Sequence, residues 1–400
     1  MIELSRSRRR AKEAPTPEGS RQRDEPQRAN STLSPNRKTA AIVQTQAENA
    51  GAQEVARQLA NGFEKRGWRV RQIFFFRRTE SFDNDPNVFF CAKERPSNLV
   101  GVVNMMGELY KEFRREKPDA VVTLQHYGNL IGAPIARLAG KSTIIANQLT
   151  SAQLVPAPVA FADKVMGSIG FYDHIVVNSA QTEAEYRAYP ASYAKLLTRI
   201  DHGFFDKSVD LCKSEARARL GLPQGVPLLG CAARLHHLKQ LDLVIRVLAE
   251  NRDQHLALAG QGQERANLEA LATSLGVGER VHFLGELGAA QMGAFLASLD
   301  CFVFPSAAET FGLAPVEAAQ AGVPVVVNDI EVLREVLAVE GEPCALFVDA
   351  RDTAAFAQAI RRLLSDPELG AKLTSLGRRL TERYPLDAMI DDYVRLAVPA

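Results

Sequence analysis

Short apolar runs alternate with amphipathic segments from residue 38 onward. The run TAAIVQTQ, at 39–46, is typical of a β-strand. In the next segment Val55, Leu59 and Phe63 recur every four residues, which predicts an amphipathic helix, and Gly67 stands where a helix C-terminal glycine belongs. The run WRVRQIFFF predicts a second strand. Together the three segments predict a βαβ unit.

The same alternation continues to residue 200. It predicts helices at Val100–Arg115, near Ile131–Ala139 and from Thr182, and strands at 120–125, 143–148 and 174–179. Strands that alternate with helices indicate an open parallel sheet. We therefore predict a Rossmann-like domain over residues 38–204.

A second series of strands and helices follows over residues 205–382. The predicted strands are 228–233, 255–260, 281–285, 301–305 and 323–327, and the predicted helices are 241–250, 264–276, 290–299, one that begins at residue 313 or 314, 353–365 and 368–384. We predict a second Rossmann-like domain, and a last helix within 383–400 that returns to the first domain. Two such α/β domains form a cleft, and open α/β sheets bind ligands at the carboxyl ends of their strands.

Composition limits the classes of protein to which these elements can belong. The 400 residues are 46% hydrophobic, carry a net charge of +1 and include five cysteines without a CxxC pair. The near-neutral charge argues against a polyanion-binding chain, so we predict no nucleic-acid partner. The cysteine pattern favours free thiols in a reducing compartment. No apolar run reaches the roughly 18 residues of a membrane-spanning helix, and no signal peptide is recognised.

Residues 1–37 form a different kind of segment. They are rich in Arg, Pro, Ser and Glu and poor in aliphatic residues, so they cannot bury enough apolar surface to fold. We predict a disordered basic tail. Two hypotheses remain open for it, a solvated tail and an arm that contacts anionic lipid or nucleic acid, and we favour the first.

Two glutamates stand among small apolar residues in PSAAETFGLAPVEAAQAGVPVVV, at 305–327. A strand precedes this loop, so Glu309 lies at the carboxyl end of a strand. Pro315 is tolerated only in the first turn of a helix, so the helix that carries Glu317 starts just before this proline. Carboxylates accept hydrogen bonds from diols. We therefore predict that the two acids bind different parts of one hydroxylated, phosphate-bearing ligand, such as a sugar nucleotide.

This stretch resembles the E-x7-E element of the retaining GT-B-fold glycosyltransferases of family four, the glycosyl transferases group 1, and the match extends over 281–337. The segment AARLHHLKQLDLVIRVLA resembles the G-R-L-x-x-x-K-G segment of that family and supplies Arg234 and Lys239. The string AGAQE stands where the family often has G-G-x-E, and PDAVVTLQHYGN resembles the strand that ends in a histidine, here His126. The resemblance covers about residues 39–397 and implies the GT-B fold, two doubly wound domains that face each other across a cleft. It also implies that the first domain, 38–204, lies on the acceptor side of the site and that the second, 205–382, binds the nucleotide sugar.

The resemblance also implies roles for individual residues. Arg234 and Lys239 stabilise the departing diphosphate, Glu309 and His126 meet the transferred sugar, and Glu317 binds the ribose. Catalysis is assigned to His126, Arg234, Lys239 and Glu309, and substrate binding to Gly51, Arg234, Lys239, Glu264, Phe283, Leu284, Glu309, Phe311, Gly312, Leu313 and Glu317. No metal ligand is expected.

Three positions depart from the pattern of that family. Gln240 stands where the family prefers glycine, Asn147 and Gln148 stand where a second histidine is common, and His202 precedes Gly203 where asparagine is usual. The first departure concerns the phosphate-binding loop, and the second leaves the acceptor pocket unassigned.

Two further patterns resemble metal sites. Asp83 and Asp85 in FDNDP match the D-x-D of another glycosyltransferase fold, and we interpret them as a polar turn. We reject a metal site at His236 and His237 because no third ligand stands at a suitable spacing.

We predict a metal-independent, retaining hexosyltransferase that uses no cofactor. Its donor is a UDP- or GDP-linked sugar, and its acceptor is a hydroxyl group of a sugar, a glycan or a lipid-linked molecule. The alternatives are a sugar-nucleotide epimerase or phosphorylase of the same fold and a non-catalytic sugar-nucleotide binding module. We expect a cytoplasmic protein. The part apolar, part basic segment 94–118 either packs on the sheet or contacts the inner face of the cell membrane, and we favour packing.

Overall fold

Two parallel β-sheets organise the chain. The computed structural model describes residues 37–47, 51–80 and 82–398. The predicted tail over residues 1–37 therefore lies outside the described residues, except for Arg37. From Lys38 onward the chain forms one compact unit that contains both sheets.

The first sheet is buried on both of its faces. Within the described residues its strands are Thr39–Ala47 (β1), Arg69–Arg77 (β2), Val88–Ala92 (β3), Ala120–Leu124 (β4), Thr143–Asn147 (β5), His174–Val177 (β6) and Leu197–Arg199 (β7). They pair in parallel in the order β3-β2-β1-β4-β5-β6-β7. Strands buried on both faces read as nearly continuous apolar runs, which is why the sequence pattern marks β1, β4, β5 and β6 clearly.

Helices cover the first sheet on both sides. Ala40 and Ile42 of β1 pack on one side with the first helix, and Ala41 and Val43 pack on the other side. The described helices of this half are Gly51–Lys65 (α1), Leu99–Glu116 (α2), Gln125–Tyr127 (α3), Ala133–Ala139 (α4), Ala157–Ser168 (α5), Ala180–Arg187 (α6) and Ala191–Ala194 (α7), with a π-helical turn at Gly128–Gly132 and a 3-10 turn at Ala152–Leu154.

The second sheet repeats this arrangement. Within the described residues its strands are Leu228–Ala232 (β8), His255–Ala259 (β9), Val281–Gly285 (β10), Cys301–Phe304 (β11), Val325–Asn328 (β12) and Leu346–Val348 (β15). Between β12 and β15 the chain forms a separate antiparallel ribbon of two short strands, Ala338–Val339 (β13) and Glu342–Pro343 (β14). The six sheet strands are parallel in the order β10-β9-β8-β11-β12-β15. The prediction of two doubly wound parallel sheets is confirmed.

The helices of the second half flank this sheet and then leave it. They are Lys213–Leu220 (α8), Leu241–Glu250 (α9), Arg265–Ser274 (α10), Ala289–Ser298 (α11), Leu313–Gln320 (α12), Glu331–Val336 (α13), Thr353–Ser365 (α14), Pro367–Arg378 (α15), Leu380–Arg383 (α16) and Leu386–Ala397 (α17), with 3-10 turns at His237–Lys239 and Gly278–Arg280. Within the described residues, no helix is both long enough and apolar enough to span a bilayer.

Two predicted elements differ from the structure. The single helix predicted over 368–384 is broken at Arg379, where the chain turns and buries Leu380 completely. The strand predicted over 120–125 ends at Leu124, because Gln125 adopts a φ of 67° and begins the helical turn that carries His126.

The last helix, α17, packs on the first half of the chain. Met389, Ile390 and Tyr393 belong to the same apolar cluster as Leu59 of α1. Gly62 permits the close contact of α1 and α17, because a Cβ there would lie 2.6 Å from the Ile390 side chain.

Candidate active site

Most of the predicted site residues lie at the carboxyl ends of the strands of the second sheet. The strand order reverses between β8 and β11, and open α/β sheets bind ligands at such a point. The loop after β8 carries Arg234 and Lys239, and the loop after β11 carries Glu309. The two loops are in contact, because the Ala307 N–H donates to the Leu238 carbonyl at 2.9 Å.

The loop after β8 also lies tightly against the loop after β9. The Glu264 N–H donates to the Leu235 carbonyl at 3.1 Å. Gly260 and Gly262 permit this approach, because a Cβ at the first would lie 2.0 Å from the carbonyl oxygen of Ala233 and one at the second 2.1 Å from that of Leu235. The two glycines of AGQGQ therefore place Glu264 beside the β8 loop.

Lys239 and Glu309 form an ion pair between the two loops. The Lys239 Nζ lies 2.5 Å from the Glu309 Oε1, and the two side chains are 24% and 12% exposed. The Lys239 ammonium also lies 5.5 Å from the centre of the Phe304 ring, a cation–π contact at the end of β11. The structure thus brings together two residues that stand 70 positions apart in the sequence.

Arg234 is exposed on the same loop, close to two adjacent histidines. The ring centres of His236 and His237 lie 4.1 Å apart, and the His236 Nδ1 accepts a hydrogen bond from the Leu238 N–H at 3.3 Å. Burial lowers the pKa of His236, and the positive charges of His237 and Arg234 lower it further. An adjoining cavity of about 300 Å³ is lined by residues that include His236 and Glu264.

Gln240 ends this loop in a left-handed conformation, with φ 48° and ψ 39°. An L residue in that region costs roughly 1–2 kcal/mol, whereas glycine adopts it without a steric penalty. The backbone geometry therefore explains why a glycine would suit this position of the loop.

Glu317 forms a second ion pair, with Lys207. The Lys207 Nζ contacts the Glu317 Oε1, and the two side chains are 9% and 11% exposed. Burial raises the pKa of Glu317, the Lys207 ammonium lowers it, and the charge of Glu54 raises it. Lys207 lies in the segment that joins the two halves, and the sequence analysis did not identify it.

The helix that carries Glu317 begins at Leu313, as predicted. Gly312 precedes it with a φ of 90°, and a Cβ there would lie 2.6 Å from Leu333. Phe311 is 2% exposed, and its ring packs in a buried cluster with His202. Contact of residue 311 with a ligand is therefore restricted to its main chain.

Phe283 and Leu284 lie near the carboxyl end of β10, beside the loop after β9. Both are half-buried. The Arg265 guanidinium lies 5.3 Å from the centre of the Phe283 ring. The Glu264 carboxylate accepts a hydrogen bond from the Asn267 Nδ2 at 2.9 Å. These residues border the same edge of the sheet as Arg234.

Gly51 and His126 lie at the corresponding edge of the first sheet. They follow β1 and β4, the two strands between which the order of that sheet reverses. A Cβ on Gly51 would lie 3.0 Å from the Leu313 Cδ1. The carboxyl edges of the two sheets therefore meet where the predicted site residues of both halves are found.

His126 packs over a buried acidic network. Both nitrogens of its ring are buried without a hydrogen-bond partner among the described residues. Burial lowers the pKa of His126, and the nearby Asp163 raises it. Asp163 accepts hydrogen bonds from the Tyr172 hydroxyl at 2.9 Å, the Tyr193 hydroxyl at 2.7 Å and the Gln148 Nε2 at 2.9 Å. Burial raises the pKa of Asp163, whereas these three donors lower it.

Polar contacts from the first half anchor the loop that carries Glu309. The Asn178 Nδ2 donates to the Thr310 Oγ1 at 3.2 Å, and it lies 3.0 Å from the His202 Nε2. Burial lowers the pKa of His202 to about 4, so this imidazole is neutral at physiological pH. Glu335 of α13 accepts a hydrogen bond from the Ala180 N–H, at the start of α6, at 2.8 Å.

The two acids of the D-x-D pattern have local partners. Asp83 accepts a hydrogen bond from the Arg77 Nε at 2.9 Å, and Asp85 accepts one from the Asn87 N–H at 2.8 Å. Across the described part of the chain, no group of three or more His, Cys, Asp or Glu side chains is arranged to hold a metal ion.

Comparisons with known proteins agree on one class of enzyme. The family model described as glycosyl transferases group 1 matches residues 213–380. The D-inositol 3-phosphate glycosyltransferase 1 of Catenulispora acidiphila is 30% identical over 299 residues, which are 68% of this chain and 70% of that protein. Other D-inositol 3-phosphate glycosyltransferases are 26% to 31% identical, and the chain spans 56% to 62% of their length.

Solved structures share the two-sheet fold. A sucrose-phosphate synthase from Thermosynechococcus elongatus superposes with a TM-score of 0.75 at 20% identity, over 90% of this chain and 98% of that one. Anabaena Alr3699/HepE in complex with UDP-glucose superposes with a TM-score of 0.76 at 18% identity, over 89% and 98%.

Proposed function

The chain belongs to the glycosyl transferases of group 1 and has the GT-B fold, and on this premise we propose that it moves a hexose from a nucleotide diphosphate sugar to a hydroxyl acceptor with retention of the anomeric configuration. The donor is UDP- or GDP-linked. The reaction belongs to the synthesis of a glycan, a polysaccharide or a glycolipid.

One observation carries this proposal, the ion pair between Lys239 and Glu309 where the strand order of the second sheet reverses. It places a cation and a carboxylate side by side, with Arg234 on the same loop. A nucleotide diphosphate sugar needs a cation for its phosphates and hydrogen-bond acceptors for its sugar hydroxyls. The pair supplies both at one point of the site.

The chemistry of sugar transfer assigns a role to each of these groups. Negative charge grows on the departing diphosphate, and fixed cations in a partly dry site stabilise it without reorganisation. Arg234 can donate two parallel hydrogen bonds to phosphate oxygens, and Lys239 adds a point charge. Glu309 orients the transferred sugar as positive charge develops near C1. These cations supply the charge stabilisation, so we propose that the enzyme needs no metal ion.

The other predicted residues surround this point from both halves. Glu317 binds the ribose diol, and Glu264 lies on the nucleotide side. The main chain at Gly51 approaches the phosphates, and its position against Leu313 supports this assignment. His126 lies against the transferred sugar. Attack on the same face, with the leaving phosphate taking the acceptor proton, gives retention without a covalent glycosyl-enzyme.

The acceptor is a hydroxyl group of a sugar or a polyol, free or carried on a lipid. Relatives named for D-inositol 3-phosphate support a polyol acceptor. Among the described residues, the ring nitrogens of His126 and the Oε1 of Gln148 have no hydrogen-bond partner, and they lie in the half that would face the acceptor. Their unpaired polar atoms suit a ligand rich in hydroxyl groups.

We also propose contact with the inner face of the cell membrane. Leu99, Val103, Met106 and Tyr110 form an exposed stripe along α2, although the opposite side of the helix packs on the first sheet as predicted. Phe161 of α5, which is 70% exposed, belongs to the same helical layer. An apolar stripe with basic residues nearby favours an anionic lipid surface. The basic residues are Arg95, Lys111, Arg114 and Lys117.

A panel of nucleotide sugars tests the main proposal. Thermal stabilisation by one donor and its nucleotide diphosphate, followed by release of that nucleotide in the presence of a hydroxyl acceptor, supports glycosyl transfer. Binding without nucleotide release would instead identify a sugar-nucleotide binding module. Conversion of the donor without an acceptor to an isomeric sugar nucleotide would identify an epimerase, and a reaction that requires inorganic phosphate would identify a phosphorylase.

Sedimentation with vesicles tests the membrane contact. The wild-type protein should sediment with vesicles that contain phosphatidylglycerol, and Val103→Glu together with Met106→Glu should abolish this. The matched control is Asn104→Glu, a single added charge at an exposed polar position between them. Equal binding of the wild-type protein and the double variant would refute the contact.

A further inference from the structure

Lys207 lies in the segment that joins the two halves of the chain and contacts the second half. Its side chain is 9% exposed and is paired with Glu317, although the residue belongs to neither a helix nor a strand. The main chain at Lys207 packs against α11, because a Cβ on Gly293 would lie 2.7 Å from the Lys207 carbonyl oxygen. The position of the lysine is therefore set by backbone packing as well as by its ion pair.

The surroundings of Glu317 make this cation necessary. The charged groups that act on the Glu317 carboxylate are Lys207 from the connecting segment and Glu54 from α1. Glu54 is itself paired with Arg57. A buried carboxylate beside another acid binds a proton readily, since burial and a like charge both disfavour the ionised form. Lys207 opposes both effects.

We infer that Lys207 is a further residue of the donor site, where it keeps Glu317 ionised and orients it toward the ribose diol of a nucleoside diphosphate sugar. The inference rests on the proposed role of Glu317 in donor binding. A carboxylate oxygen has more than one lone pair, so an oxygen that accepts from an ammonium still accepts from a hydroxyl group. Lys207 is a positioning residue, because it acts through Glu317.

The inference predicts that loss of the Lys207 charge makes donor affinity depend on pH, and that this dependence requires Glu317. Without the Lys207 charge the pKa of Glu317 rises further, and a protonated Glu317 accepts hydrogen bonds poorly. Donor affinity of Lys207→Met should therefore fall more steeply than that of the wild type as the pH is lowered. The fall is up to about tenfold per pH unit while the pH is below the raised pKa.

The experiment measures donor KM, kcat and the Kd of the nucleotide diphosphate at pH 6 to 9. The variants are Lys207→Met, Lys207→Arg, Glu317→Gln and the double variant Lys207→Met/Glu317→Gln. Lys213→Met is the matched control, because Lys213 also pairs with a carboxylate, that of Asp300, outside the site. We expect a steep rise of affinity with pH in Lys207→Met, a profile close to wild type in Lys207→Arg and Lys213→Met, and no rise in the double variant.

Two results would overturn the inference. One is a Lys207→Met profile parallel to that of the wild type, and the other is a steep profile that persists in the double variant. If Lys207→Met does not fold, Lys207→Gln takes its place with the same expectations. Glu317→Gln separates this inference from the proposed function: unchanged donor affinity in that variant refutes the ribose role of Glu317, whereas weakened affinity with a flat Lys207→Met profile refutes only the role of Lys207.

Discussion

Glutamine substitutions at Glu309 and Glu317 should affect different kinetic constants. Glu317→Gln keeps the shape of the side chain and weakens a hydrogen bond to a charged acceptor, which is typically worth about 1.5–3 kcal/mol. At 1.4 kcal/mol per factor of ten, this raises the donor KM by about 10- to 150-fold. Binding that is equal in the ground and transition states does not change kcat. We therefore expect kcat of Glu317→Gln to stay near the wild-type value.

Glu309→Gln should show the opposite pattern. In the proposed mechanism Glu309 lies where positive charge develops on the sugar, so its carboxylate should matter most in the transition state. Removal of one preorganised electrostatic group typically lowers kcat by about 10²–10³-fold. Affinity for the product nucleotide diphosphate should stay close to the wild-type value, because that ligand lacks the sugar.

The structure also ranks the two variants by stability. Glu317→Gln leaves the ammonium of Lys207 without its counterion at 9% exposure, and breaking such a buried pair costs about 3–5 kcal/mol. Glu309→Gln leaves Lys239 at 24% exposure. Water can solvate this ammonium more easily, so the loss should be smaller, about 1 kcal/mol or less. Glu309→Gln should therefore melt at the higher temperature.

The assay combines steady-state kinetics with varied donor, titration of the product nucleotide, and thermal melting. Glu331→Gln, at an exposed position on α13, is the control for loss of a carboxylate and should match the wild type in all three. A wild-type kcat for Glu309→Gln, or a wild-type donor KM for Glu317→Gln, would refute the role assigned to that residue.

Four further predictions concern the metal dependence of activity, the backbone at Gln240, the segment 1–37 and the pH dependence of stability. Activity should survive EDTA, because in the proposed mechanism Arg234 and Lys239 stabilise the leaving group; loss on chelation that Mn²⁺ or Mg²⁺ restores would revive the D-x-D hypothesis. Gln240→Gly should raise the free energy of unfolding in urea by about 0.5–1 kcal/mol, because removing the steric cost of the left-handed conformation outweighs the extra entropy that glycine gives the unfolded chain. A lower urea midpoint for this variant would contradict the prediction. Deletion of residues 1–37 should leave kcat on soluble acceptors unchanged, because no predicted site residue lies there, and a fall in kcat would show otherwise. Burial lowers the pKa of His202 to about 4, so this residue should leave the free energy of unfolding unchanged above pH 6.5 and should lower it by roughly 3 kcal/mol by pH 4. His202→Asn should make the free energy of unfolding in urea less dependent on pH over that range.

The sequence pattern was sufficient for strands that are buried on both faces. β1, β8, β9 and β11 are apolar runs whose residues pack on both sides of a sheet, and each was predicted within one or two residues of its observed ends. β3, β7 and β15 were missed. All three lie at the edge of a sheet and are mostly half-buried, so neither a continuous nor an alternating pattern marks them.

The candidate site was predicted where its residues follow strands directly. Arg234, Lys239 and Glu309 stand next to recognisable strand ends, and a parallel sheet brings such ends to one edge. Phe311 shows the limit of this reasoning. It stands in the same motif, but its side chain packs inward with His202, a contact between distant segments that no local pattern encodes.

Lys207 and Thr310 show why contacts from outside the second sheet to the motif residues escaped prediction. Each is a single polar residue in an irregular segment, and only the folded chain pairs the first with Glu317 and the second with Asn178. Each contact joins a motif residue (Glu317) or the neighbour of one (Thr310, next to Glu309) to a residue that lies outside the second sheet. A rotation of one half against the other would therefore disturb the contact between Asn178 and Thr310, which lies next to Glu309.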